Sequence, residues 1–442
     1  MGLETRVNLV EIEIMKKKFP LKMMMHKAKQ ASKSGEIEEA LSIYDKILKR
    51  YPFNTKASLE MQKLSNQMTT VSEAEEEISQ LIKLYKNGFF TECLDLGEVL
   101  SKKYPKEINI LNILGVCFFA TGENLEAVKC FQKLLTLDIN HFNGWFNLGN
   151  VYSVIDNIEA ASNAYKKAIG INSTSSEAHY NLANLYQKSK MFAEALEYFE
   201  NAIKHSPNKA EYYNNKGIVL SDLGEEEKAI VAYKNAIRLS PHWAEAHHNL
   251  ATSYGVLRHF ENAILSYQRA IKLEPKNARS HHQLGLALDR VARYTEAIRA
   301  FKNAISHSKQ FPEAYNDLGN SWSSVGCFDD AIVSFEVALK QRPDYWQAMQ
   351  NLGNAQSSLG LIERAKESFR QALSINPSRY EVKHCLDALE GVTSEKPPDS
   401  YITSLFDRYA KRFDNHLIKD LGYDAPSLLR QELYENINKN QK

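Results

Sequence analysis

The chain has 442 residues, with 55 Lys plus Arg against 54 Asp plus Glu and a formal net charge of +1. That balance gives no global basic field to draw it onto nucleic acid or an acidic membrane surface. Its five cysteines (Cys93, Cys117, Cys130, Cys327 and Cys385) are widely spaced and form no CxxC, which argues against a disulfide framework or zinc site and for the reducing cytoplasm.

Residues 1–20 read as an N-terminal extension. No apolar run follows a basic start there, even with Met15 as the first residue, so no secretory signal is predicted. Arg6 stands where a myristoylation pattern after Gly2 wants Ser or Thr. No stretch nears the roughly 18 to 20 apolar residues that a membrane span needs. A soluble, intracellular protein is expected.

Residues 21–73 read as an isolated N-terminal repeat plus linker helix. The segment 21–54 keeps Ala28, Gly35, Ala40, Tyr44 and Pro52, and a closing helix through Leu64 leads into the polar stretch SNQMTTVSE at 65–73, read as a linker. A unit at 74–107 keeps Gly88 and Pro105 but places Cys93 and Gly97 where later units have alanine and an aromatic. From there the period is strict. Small residues recur every 34 positions at Gly115, Gly149, Ala183, Gly217, Ala251, Gly285, Gly319 and Gly353. Twelve residues after each comes alanine, from Ala127 to Ala365, and four further on an aromatic, from Phe131 to Phe369.

Each unit reads as two antiparallel helices. In 176–209 one stripe is Tyr180, Leu182, Ala183, Leu185 and Tyr186, and another is Ala195, Leu196, Phe199, Ala202 and Ile203. The small residues permit close helix approach and the aromatics fill the space beside them. Pro207, Pro241, Pro275, Pro343 and Pro377 stop the second helices. In length and in its small, alanine, aromatic and proline positions the chain resembles the tetratricopeptide repeat family, over most of its length. The resemblance implies an all-α solenoid, a right-handed superhelix, with a nine-repeat array at 74–391 whose residues 380–391 are the end helix.

Family members of this kind hold extended peptides on the concave face of their first helices. Two residues before the small position lie Asn147, Asn181, Asn215, Asn249, Gln283, Asp317 and Asn351, and one residue after it Asn150, Asn184, Asn320 and Asn354. A carboxamide offers one acceptor and two donors, so a row of them suits a peptide main chain. The row resembles the asparagine ladder of O-linked N-acetylglucosamine transferases. The alternative to this ladder reading is that the same residues are solvated surface or hydrogen bonds between neighbouring repeats. A basic clamp for a terminal carboxylate is not expected, because Lys188 and Arg290 are isolated. His247, His248, His281 and His282 fall on adjacent first helices, but no carboxylate or cysteine joins them at a matching position, so no metal site is predicted.

At 392–398 the composition shifts to a short linker containing Pro397 and Pro398. The segment 399–434 carries an apolar stripe of Ile402, Leu405, Phe406, Tyr409, Phe413, Leu417 and Leu421, and 435–442 is a tail. From Tyr401 to Leu429 the order Leu405-Phe406-Asp407, Tyr409-Ala410, Phe413-Asp414, His416-Leu417 and Leu421-Gly422-Tyr423 resembles the N-terminal cap of class I S-adenosylmethionine-dependent methyltransferases that carry repeat arrays. That resemblance implies a catalytic core for which the residues after Leu433 leave no room. No GxSxG elbow, GxxxxGK[ST] loop or HExxH pair occurs, so no catalytic residue, cofactor or metal is predicted. The expected function is a protein interaction scaffold for an extended peptide or protein segment, with no nucleic-acid or membrane partner. The alternative is the substrate-recruiting arm of a truncated or split methyltransferase, with its catalytic partner domain in trans.

Overall fold

The computed structural model describes residues 21–392, the side chains of 69–72 excepted. The extension at 1–20, most of the 392–398 linker, the methyltransferase-like segment and the tail lie outside the described residues. The chain divides into two compact units between Pro207 and Asn208.

In the first unit α1 covers 21–33, followed by α2 (Ile37–Arg50), α3 (Thr55–Lys86) and α4 (Phe90–Lys103). Helix pairs follow: α5 (Ile108–Ala120) with α6 (Asn124–Leu137), α7 (Phe142–Val154) with α8 (Ile158–Ile171), and α9 (Ser176–Lys188) with α10 (Phe192–His205). The second unit pairs α11 (Ala210–Asp222) with α12 (Glu226–Leu239), α13 (Ala244–Val256) with α14 (Phe260–Leu273), and α15 (Ala278–Arg290) with α16 (Tyr294–His307). It ends with α17 (Pro312–Ser324), α18 (Phe328–Gln341), α19 (Trp346–Ser358), α20 (Ile362–Ile375) and the end helix α21 (Tyr380–Glu390). The described residues form no strand, and within each unit consecutive helices pack against one another. The all-α helical-repeat class read from the period is the observed one.

One local expectation is corrected. The polar stretch at 65–73 does not follow the closing helix as a separate linker, because α3 runs unbroken from Thr55 to Lys86. It contains no Gly or Pro to end a helix, and Asn54 caps the start by accepting from the Ala57 N–H at 3.0 Å. The two ends of α3 serve different cores. Ala57 and Leu64 are buried with Ala28, Ala40 and Tyr44, whereas Leu81 is buried with Cys93, Leu100 and Leu114.

The periodic residues build the core as their sizes dictate. The alanines from Ala127 to Ala365 in the alanine position are fully buried. A Cβ added at Gly149 would lie 2.7 Å from the Tyr165 ring, and one at Gly285 2.5 Å from Phe301, so at these positions only glycine admits the aromatic so closely. Each of the five spaced prolines falls two residues beyond the last residue of its second helix.

The turns inside the repeats hold a second period. Gly88, Gly122, Gly224, Gly326 and Gly360 have positive φ, and at the same position the other repeats force Asp156, Lys190, Arg258 and Ala292 to φ of 64°, 59°, 59° and 59°. A left-handed residue closes the first helix and reverses the chain.

Candidate functional site

The amide row sits on the first helices, and each unit carries its own part. In the first unit α7 presents Asn147 and Asn150, and α9 presents Asn181 and Asn184, all half-buried. Asn181 donates from Nδ2 to Asn150 Oδ1 at 2.9 Å, and the Tyr165 hydroxyl donates to the same oxygen at 2.8 Å. Asn147 reaches Asn112 Oδ1 at 3.5 Å, the limit for such a bond. Asn184 is engaged as well.

In the second unit Asn249 donates to Asn214 Oδ1 at 3.2 Å, and Asn351 to Asn316 Oδ1 at 3.0 Å. Asn214 in turn donates to Asn215 at 3.4 Å, and Asn316 to Asp317 at 3.1 Å. His282 donates from Nε2 to Asp317 Oδ2 at 2.8 Å. A rule connects these pairs: the residue three before the small position bonds the residue two before it in the next repeat. Gln283, Asn320 and Asn354 make no side-chain hydrogen bond among the described residues, and Asn354 is exposed while the other two are half-buried.

Asn112, Asn214 and Asn316 were therefore missed by a reading that followed only the amide row. Asn214 is 1% exposed and Asn316 5%. Their signal in the sequence is their spacing of three whole repeats, directly beside the row. They turn the row into a set of rungs between repeats, and each donating amide keeps its carbonyl oxygen and a second N–H.

The histidines serve the scaffold. His247 Nε2 lies 3.1 Å from the Pro241 carbonyl, His281 Nε2 2.9 Å from that of Pro275, and His179 Nε2 3.0 Å from that of Ser173. Trp145 makes the equivalent bond from Nε1 to Ile139 O at 2.8 Å. Facing a carbonyl, each ring nitrogen carries the proton, and each ring ties its helix to the preceding turn. His248 places Nδ1 2.9 Å from Ser280 Oγ and leaves Nε2 buried without a partner. Burial first, then the charge of Arg279, holds its pKa down at about 4. Among the described residues no three His, Cys, Asp or Glu side chains gather as ligands of one metal ion. Of the isolated cations, Lys188 is paired with Asp156 at 2.6 Å. No helix among the described residues is long and apolar enough to cross a membrane.

Family models described as tetratricopeptide repeat match residues 23–54, 176–209, 210–242 and 347–379, and one described as TPR repeat matches 156–190 and 259–290. A comparison with curated proteins gave no match. Among solved structures, the chain is similar to YrrB, described as a TPR protein with an unusual peptide-binding site, at 24% identity over 42% of this chain and 96% of that one, with a TM-score of 0.39. It is similar to MamA at 27% identity over 37% and 96% of the two chains, TM-score 0.36. A tetratricopeptide repeat protein from Parabacteroides merdae ATCC 43184 is 17% identical over 56% and 98%, TM-score 0.42.

Proposed function

From the premise that this chain is a tetratricopeptide-repeat protein, we propose that its first helices hold an extended polypeptide segment through the amide row. Proteins of this kind generally mediate protein–protein interaction and peptide binding. The observation that carries the reading is the tying of Asn181, Asn249 and Asn351 to the preceding repeat. A tied carboxamide has one orientation, so its remaining donor and acceptor meet a peptide main chain with less ordering cost. This is the arrangement that resembles the ladder of O-linked N-acetylglucosamine transferases, and 74–391 is taken as the working array, with 21–73 as a separate element. The free cysteines among the described residues are in keeping with a reducing, cytoplasmic setting, which belongs to the same reading.

A main-chain reader has a distinctive test. Peptides selected by display against the wild-type chain should bind Asn181→Ala/Asn249→Ala/Asn351→Ala at least about tenfold more weakly, whatever their sequence, since each lost hydrogen bond is worth about 1 kcal/mol. Helicity should be retained, because alanine is the better helix former. Equal affinity for the triple variant would remove the amide row as the binding element.

The alternative is the recruiting arm of a split methyltransferase, supported by the sequence resemblance of 401–429. Methyl transfer onto a captured peptide when a separate class I catalytic core is supplied would favour it; peptide capture without any such transfer favours the scaffold.

A further inference from the structure

The repeat at 21–54 carries a different chemistry on the face that holds the amide row elsewhere. Counting from Ala28 at the small position and Ala40 at the alanine position, the two row positions of α1 are His26 and Lys29. Lys22 and Lys33 lie four residues before and after them, on the same helix face. One period later the start of α3 presents Lys56, Glu60 and Lys63. In α7 the positions equivalent to those of α1 are Asn143, Asn147, Asn150 and Val154, with no charge among them.

The structure brings these cations to one space. Helix α1 and the first turn of α3 border an open cavity of about 530 Å³, lined by Lys22, His26, Lys29 and Lys56, all four exposed. Its apolar floor is Leu21 and Met25, half-buried against the core of Ala28, Ala40 and Tyr44. Residues 21–64 hold nine Lys and Arg against five Asp and Glu, a local net charge of +4 in a chain whose total is +1. Four of those acids, Glu36, Glu38, Glu39 and Asp45, lie at the start of α2 or on it. Glu39 pairs with Lys27 at 3.9 Å and Asp45 with Lys49 at 2.8 Å, neither of them a cation that lines the cavity. Among the described residues no acid forms an ion pair with Lys22, Lys29 or Lys56.

Like charges gathered around one cavity repel each other, and a ligand of opposite charge relieves that repulsion. We propose that the repeat 21–54, together with the start of α3, is a second docking face that takes an acidic segment of a partner protein, with its carboxylates on Lys22, Lys29 and Lys56 and an apolar side chain over Leu21 and Met25. The floor decides for a polypeptide over a nucleic acid, whose phosphates would leave the apolar surface uncovered. The cations from Lys22 to Lys33 extend over about 16 Å of α1, which suits several carboxylates along a segment better than the single one of a chain end. From Lys56 to Leu81, where α3 enters the next core, the helix rises about 38 Å. The face is therefore separate from the amide row and does not rest on the reading of that row.

The probes are peptides blocked at both ends that repeat Glu-Glu-Leu, Gln-Gln-Leu or Glu-Glu-Ser, and a single-stranded RNA, each titrated against the full chain by fluorescence anisotropy. Wild type should bind the Glu-Glu-Leu peptide at least about tenfold more tightly than the Gln-Gln-Leu one, and the advantage should shrink as salt is raised. Lys22→Gln/Lys29→Gln/Lys56→Gln should bring the two within about threefold of each other, with the melting temperature unchanged because all three side chains are exposed. Met25→Ala should weaken the Glu-Glu-Leu peptide and leave the Glu-Glu-Ser peptide as it was. The triple alanine variant of the amide row should bind the acidic peptide like wild type, so the two sites fail separately. An acidic preference untouched by the lysine variant overturns the proposal, as does equal wild-type affinity for the glutamate and glutamine peptides. RNA bound more tightly than the acidic peptide overturns it too. So does a gain in peptide affinity on deletion of residues 1–14, which would make the chain's own leading segment the occupant.

Discussion

Repeats 74–107 and 108–141 fold into the same helix pair from opposite ingredients. In 108–141 the first helix supplies Gly115 and the second supplies Phe131, whose ring would lie 2.6 Å from a Cβ on that glycine. In 74–107 the same two positions hold Leu81, fully buried, and Gly97. A Cβ at Gly97 would meet Leu114 at 2.6 Å and Leu81 at 3.5 Å. Large and small have changed sides. What the period preserves is the volume shared across the pair and the closeness of the helices, more than the identity of either residue.

The harshest way to break this comparison is to give 74–107 the aromatic of its neighbour. Gly97→Phe should cost about 3 kcal/mol in urea unfolding, because Leu114 and Leu81 already occupy the space. Adding Leu81→Gly should restore at least about half of the loss; a double variant no more stable than the single one would mean the two positions do not trade volume. A milder intrusion falls on the regular repeat: Gly115→Ala presses a methyl into Phe131 and should cost about 2 kcal/mol. By contrast Ala183→Gly and Ala251→Gly, in repeats that already accommodate the methyl, should lose only about 1 kcal/mol, the intrinsic helix penalty of glycine. The smallest effect tests what the two repeats share. Gly88→Ala and Gly122→Ala, at φ of 76° and 87°, should each cost about 1 kcal/mol in thermal melts, and Ala292→Gly should gain up to about the same. Unequal losses at Gly88 and Gly122 would show that the turn is not common to both.

Much of this was legible in the sequence, for a physical reason. Alanine every 34 residues and an aromatic four further on are steric requirements that each repeat meets alone, so a single period displays them. Pairings between repeats leave a fainter trace, because Asn112, Asn214 and Asn316 recur only at every third repeat. Asn249 bonds Asn214 across 35 residues, and nothing in either repeat by itself reveals it. The Ser, Asn and Thr after Leu64 suggest a polar linker beyond the closing helix, yet no Gly or Pro breaks the helix there and α3 continues through it.

The turn residues with positive φ also make a ruler. They recur at one interval, they are exposed, and at Asp156, Lys190, Arg258 and Ala292 the backbone already carries a side chain in the left-handed region. A cysteine placed there for a spin label or a fluorophore introduces no strain that the chain does not already tolerate. Asp156 with Lys190 lies in the first unit and Arg258 with Ala292 in the second, each pair one repeat apart. Two labelled chains would thus read the spacing of adjacent repeats in each unit separately, before and after a peptide is added.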